Sequence, residues 1–107
     1  MSDNAMAELS FSFSASLWKY SGEGAAWYFV TLPKDRAERI KFLQGGRRRG
    51  WGAVRVEVMM GDTRWKTSIF PDSSSGSYLL PVKAAVRKGA GVGDGDVVDC
   101  LITLDLV

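Results

Sequence analysis

The stretch Ala53 to Phe70, AVRVEVMMGDTRWKTSIF, constrains the fold more than any other part of the chain, because it registers itself residue by residue. Gly61-Asp62 is a two-residue link of the kind that favours a type I′ or II′ hairpin turn, and it sets Met60 opposite Thr63. Counting outward pairs Val58 with Trp65, Glu57 with Lys66, Val56 with Thr67, Arg55 with Ser68 and Val54 with Ile69. Val54, Val56, Val58, Trp65 and Ile69 then share one face, while Arg55, Glu57, Arg64 and Lys66 share the other. A one-residue slip would mix the two sets, so the pattern predicts an antiparallel hairpin with one buried and one wet face. A Glu57–Lys66 cross-strand pair on the wet face would contribute roughly 0.2–1 kcal/mol.

The rest of the chain supplies further strands and two short helices. Leu9, Phe11, Phe13, Ala15 and Leu17 alternate with serines at 10, 12, 14 and 16, the mark of a half-buried strand. AAWYFVTL is β-branched and aromatic and reads as a second strand ended by Pro33. Pro33 then suits the first turn of a helix in which Ala37, Ile40 and Leu43 recur on one face, with Asp35–Arg39 as an i, i+4 pair and Gly45-Gly46 as the stop. Past Pro71 the DSSSGS segment reads as a flexible loop, followed by the strand YLLPV, a short helix in KAAVRKGAG and turn residues through Gly95. In VVDCLITLDL, Val98, Cys100, Ile102, Leu104 and Leu106 share one face of a closing strand, which makes Cys100 a small core residue.

With 107 residues the chain is long enough for one core. The opening MSDNAM resembles an expression leader before a second methionine, so residues 1–5 are set apart and residues 6–107 are read as a single domain. No run is long and apolar enough to span a bilayer, and no secretory signal is apparent, so a cytoplasmic location is expected, as a monomer or homodimer. The absence of histidine excludes Ser-His-Asp and Cys-His catalysis and imidazole metal ligation, and one cysteine excludes a disulfide framework. No cofactor, metal ligand set or catalytic residue is indicated: the Asp94 and Asp96 of GDGD lack the spacing of a calcium loop and suit a turn instead. Arg47, Arg48 and Arg49 supply +3 against a net charge of +2, leaving the remainder at −1, so the basic character is local.

VTLPKDRAERI and YLLPVKAAVRK align on Pro33 and Pro81, sharing the preceding leucine, an alanine four residues on and an arginine six on. Two similar strand–helix–strand units would make a compact barrel with pseudo-twofold character. The blocks AWYFVTLPKDRAERI, GWGAVRVEVMMGDTRWKTSIFPD and GSYLLPVKAAVRKGAGVGDGDVV together resemble the DUF1905 family of small bacterial proteins, over about Leu9 to Leu106. The resemblance implies a mainly β protein, a small double-split β-barrel with two short helices, related in fold to AbrB- and MazE-like DNA-binding proteins. Family members are sometimes attached to a YdeI-type bacteriocin-resistance region, absent here. The resemblance implies no characterised activity. In the AbrB-like relatives the unit occurs once per chain and two chains interleave, whereas the repeat here would let one chain close the barrel.

Two groups of residues could carry binding. In GGRRRGWG, Arg47, Arg48 and Arg49 could neutralise phosphates and Trp51 could stack a base, giving weak, salt-sensitive contact with nucleic acid. Lys66, Ser68, Tyr78, Lys83 and Arg87 fall on the most family-like blocks. There Lys83, read as lying in the first turn of a helix, could hold a phosphate or carboxylate together with exposed amides. The expected function is a non-enzymatic binding module for a small anionic ligand. A nucleic-acid-binding regulator and a protein-interaction domain are the alternatives.

Overall fold

The structure, a computed structural model, describes residues 9–22, 25–44 and 52–105. Six strands, β1 (Ser10–Gly22), β2 (Ala25–Thr31), β3 (Val54–Met60), β4 (Thr63–Asp72), β5 (Ser77–Pro81) and β6 (Val97–Leu104), are joined with two helices, α1 (Lys34–Gln44) and α2 (Ala84–Ala90). The central hairpin, β3–β4, has the register its sequence dictates, from Met60↔Thr63 out to Val54↔Ile69. Its turn is of the II′ kind: Gly61 has φ 61°, and no non-glycine residue among those described has positive φ.

The strands close into a barrel in the order β1-β2-β5-β4-β3-β6, with every neighbouring pair antiparallel. Closure removes the exposed edges that an open sheet of this size would present. Two long strands make it possible by changing partners midway. β1 pairs with β6 over Ser10–Ser16 and with β2 over Leu17–Gly22. β4 pairs with β3 over Thr63–Ile69 and with β5 over Phe70–Asp72.

Exchanging β1–β2–α1–β3 with β4–β5–α2–β6 reproduces the same cyclic order, so the duplication suggested by the two Leu-Pro segments is present in the topology. Its structural alignment differs from the Pro-to-Pro one by two residues. Leu32 N–H donates to the Tyr78 carbonyl at 3.0 Å, and Val82 N–H donates to the Tyr28 carbonyl at 2.9 Å. These bonds exchange when Leu32 is equated with Val82 and Tyr28 with Tyr78. The helices begin at Lys34 and Ala84, fifty positions apart like Leu32 and Val82. Prolines preset backbone angles but do not themselves mark equivalent places.

The barrel interior takes the inward residue of every alternation: Leu17, Val30, Val58, Ile69, Leu80 and Ile102 are fully buried. Each such side chain is worth about 1.5–3 kcal/mol relative to exposure. Cys100 is buried among them as expected, and burial, with the nearby Asp99 charge adding, pushes its thiol up to about 12. α1 buries Ala37, Ile40 and Gln44. Asp35 does not reach Arg39: its carboxylate takes Arg36 Nη1 at 2.5 Å, while Arg36 also donates to the Ser12 carbonyl and Arg39 lies over the Phe42 ring. The Gly45-Gly46 stop and the leader lie outside the described residues.

The serine loop is a built turn and not a flexible link. Asp72 Oδ2 accepts from Ser75 N–H at 3.0 Å, the Asp72 carbonyl accepts from Gly76 N–H, and Gly76 adopts φ 74°. Ser77, buried, donates its hydroxyl to the Leu32 carbonyl at 2.7 Å, tying this turn to the end of β2. GDGD is likewise turn chemistry. Asp94 Oδ1 accepts from Lys19 N–H and Asp96 Oδ2 from Gly93 N–H, and no cluster of metal-ligating side chains occurs among the described residues.

Candidate functional site

The outward face of β1 is serine from Ser10 to Ser16 and then, in the same alternation, becomes Trp18 and Tyr20. The change of residue type coincides with the change of partner, because Trp18 and Tyr20 lie opposite Phe29 and Trp27 of β2. Four rings therefore stand on two neighbouring strands, on the outside of the barrel. Phe29 is in turn opposite Pro81 of β5, and Phe70 of β4 is opposite Leu79.

These residues, with Arg55, Lys66, Ser68, Lys83 and Arg87, line a cleft of about 1260 Å³. Sites of this kind are concave, mostly apolar and furnished with a few placed polar groups. Trp27, Tyr20 and Phe70 are 55%, 51% and 46% exposed, so their rings offer surface instead of filling the core. The floor is fixed. Trp18 Nε1–H donates to Thr31 Oγ1 at 2.9 Å, and the Trp18 and Phe29 rings pack at 5.3 Å with a 41° tilt. Gly22 matters to the rim because a Cβ there would stand 2.5 Å from the Tyr20 ring, so only glycine leaves that ring lying where it does.

The registers place the charges. Arg55 is opposite Ser68, and Glu57 is opposite Lys66. Lys83 continues β5 in extended conformation (φ −71°, ψ 162°), and because Val82 before it is buried, Lys83 faces outward like Pro81. One step from the Ser68, Pro81, Phe29 and Trp18 positions, in the same direction, the outward face thus carries Lys66, Lys83, Trp27 and Tyr20. Cations stand on the β4–β5 side and rings on the β2–β1 side. Glu57 does not neutralise Lys66, since its carboxylate lies 3.7 Å from Arg64 Nε instead. Among the described residues no ion pair or side-chain hydrogen bond engages Arg55, Lys66 or Lys83. Asp72, the one carboxylate of the lining, sits six residues along β4 from Lys66, about 20 Å away in an extended strand.

Four of the five residues expected to bind are thus brought together: Lys66, Ser68, Lys83 and Arg87 all line the cleft. Tyr78 does not; it is fully buried on the inward face of β5, and burial pushes its hydroxyl pKa up. Arg87 is present in a different role. Its guanidinium stacks 3.6 Å from the centre of the Tyr28 ring and donates to the Val82 carbonyl at 2.7 Å, so it builds the wall and is not a free cation. Lys83 precedes α2 and does not lie within it. Arg47, Arg48, Arg49 and Trp51 lie outside the described residues.

The rings are what reasoning from sequence missed. Their parity was readable: Trp18 and Tyr20 continue the serine face of β1, which is outward wherever Phe13 and Leu17 are inward. Exposed aromatic residues on a face that is otherwise serine make an apolar patch on the outside of the barrel.

A closed six-stranded barrel with two helices, carrying a ring-lined and cation-edged cleft on its outer face, defines a small β-barrel domain with a surface cleft. The chain matches the model of the domain of unknown function DUF1905 over residues 13–102, most of its length, and belongs to that family. A search of the curated proteins finds no match. No helix among the described residues is long and apolar enough to cross a membrane.

Proposed function

We propose that the protein is a non-catalytic binding module whose outer cleft takes a small organic anion. The observation that carries this reading is the set Arg55, Lys66 and Lys83, three cations without a described carboxylate partner on one side of an apolar cleft. Charges so placed attract an anion, and the ring surface beside them favours one with an apolar body. The exchange of halves in the topology supports reading the barrel as double-split, closed within one chain, so that the cleft needs no second copy.

A thermal-shift screen of organic acids, sugar phosphates, nucleotides and oligonucleotides, at low and moderate salt, tests the proposal. A ligand at 100 times its Kd stabilises by about 2.7 kcal/mol, a rise of several degrees in Tm for a domain of this size. The expected result is a shift with a small anion that survives moderate salt and is lost in Lys66→Ala and Lys83→Ala. Shifts confined to oligonucleotides and abolished by moderate salt would overturn it in favour of a nucleic-acid site.

A further inference from the structure

We infer that the ligand of this cleft is a flat ring joined by a short linker to a phosphate or carboxylate, of the size of a nucleoside monophosphate. The inference rests on the anion-site reading above and adds the other half of the ligand. Three observations lead to it.

The apolar part of the lining is chiefly rings: Trp18, Tyr20, Trp27, Tyr28, Phe29 and Phe70. A pocket for an aliphatic chain is lined by branched side chains that wrap it, whereas exposed ring faces are matched by another flat ring. The exposed rings stand beside a fixed pair. Trp27 and Tyr20 are cross-strand partners two residues along β2 and β1 from Phe29 and Trp18, whose rings pack together, and Gly22 leaves the space that the Tyr20 ring occupies. A platform fixed before binding loses little freedom when a ring settles on it.

The spacing sets the linker. Trp27 lies one strand from Lys83 and two from Lys66, spans of about 5 and 10 Å at the spacing of neighbouring strands. An anion held between the two lysines and a ring over Trp27 are therefore separated by roughly one sugar unit.

Calorimetric titration of the full chain with four probes tests this: adenosine 5′-monophosphate, adenosine, ribose 5-phosphate and hexyl phosphate. Adenosine 5′-monophosphate should bind about tenfold or more tighter than each of the other three, since each lacks the ring, the anion or both ring and sugar. Trp27→Leu should remove that advantage over hexyl phosphate. Trp27 is 55% exposed, so its replacement leaves the core intact, and an unchanged urea midpoint confirms that. Hexyl phosphate binding as tightly as the nucleotide, or a Trp27→Leu variant with unaltered nucleotide affinity, overturns the ring inference while the anion site stands. If no probe binds in a way that depends on Lys66 and Lys83, both fall.

Discussion

Thr31→Val isolates the bond that holds the floor of the cleft. Valine keeps the β-branch and nearly the volume of threonine, so strand β2 and its packing persist while the acceptor for Trp18 Nε1–H, now at 2.9 Å, is lost. The bond is part-buried. A neutral hydrogen bond contributes about 0.5–1.5 kcal/mol net, and a donor left without a partner costs about 1–3 kcal/mol when water is excluded. Partial access to water puts the expected loss near the lower figure, about 1 kcal/mol. For a domain of this size each kcal/mol corresponds to about 4–8 °C in Tm. Thr31→Val should therefore lower the midpoint by about 5 °C in a thermal melt followed by circular dichroism. Trp18→Phe removes the same donor along with ring area, so the double variant should be less destabilised than the sum of the two, by about 1 kcal/mol. Strict additivity, or a Thr31→Val melt within 1 °C of the parent, would refute the claim that this bond sets the floor.

Two further perturbations address the turn and the core. Asp72→Ala removes the acceptor for Ser75 N–H, and Gly76→Ala places a Cβ at φ 74°; each should lower the urea-unfolding free energy by about 1 kcal/mol, whereas a merely flexible loop would tolerate both. Cys100 predicts a pH dependence. The unfolded thiol ionises near 8.5 while the folded one stays protonated to about 12, so between these values the unfolded chain binds fewer protons and stability falls with rising pH, by at most about 1.4 kcal/mol per pH unit. Cys100→Ala should shift the whole curve and flatten that slope in urea midpoints taken at pH 8, 9 and 10. Parallel curves would assign the slope to other groups, Tyr78 among them.

The fold was legible where a local rule and a global one agreed. The β3–β4 hairpin combines a glycine turn with a face pattern that tolerates one register, and every pair counted from the sequence occurs in the structure. Cys100 and the serine face of β1 followed from parity alone. Barrel order was not available in this way, because the change of partner along β1 and β4 is made by hydrogen bonds between distant segments, and nothing in the side chains of Ser16 and Leu17 announces it. The duplication was visible as Leu-Pro but shifted by two residues, since proline reports a backbone angle and the equivalence depends on which amides meet which carbonyls.

The site was legible as charge and not as shape. Lys66, Ser68 and Lys83 could be placed together on family-like blocks, whereas the roles of Tyr78 and Arg87 depended on what lies against them. Tyr78 occupies an inward position of β5, between Ser77, whose buried hydroxyl donates to the Leu32 carbonyl, and Leu79, and its side chain is part of the barrel core. Arg87, on α2, finds the Tyr28 ring of β2 and the Val82 carbonyl just before its own helix, contacts made across the fold and not along the sequence pattern. Tyr78 lies in the barrel core and Arg87 in the wall of the cleft, so neither is placed to hold an anion. On the function proposed above, the ligand's charge falls to Arg55, Lys66 and Lys83 and its body to the rings. The two contributions can be separated experimentally: charge reversal at Lys83 should weaken every anionic probe alike, while loss of the Trp27 ring should weaken only probes that carry a ring.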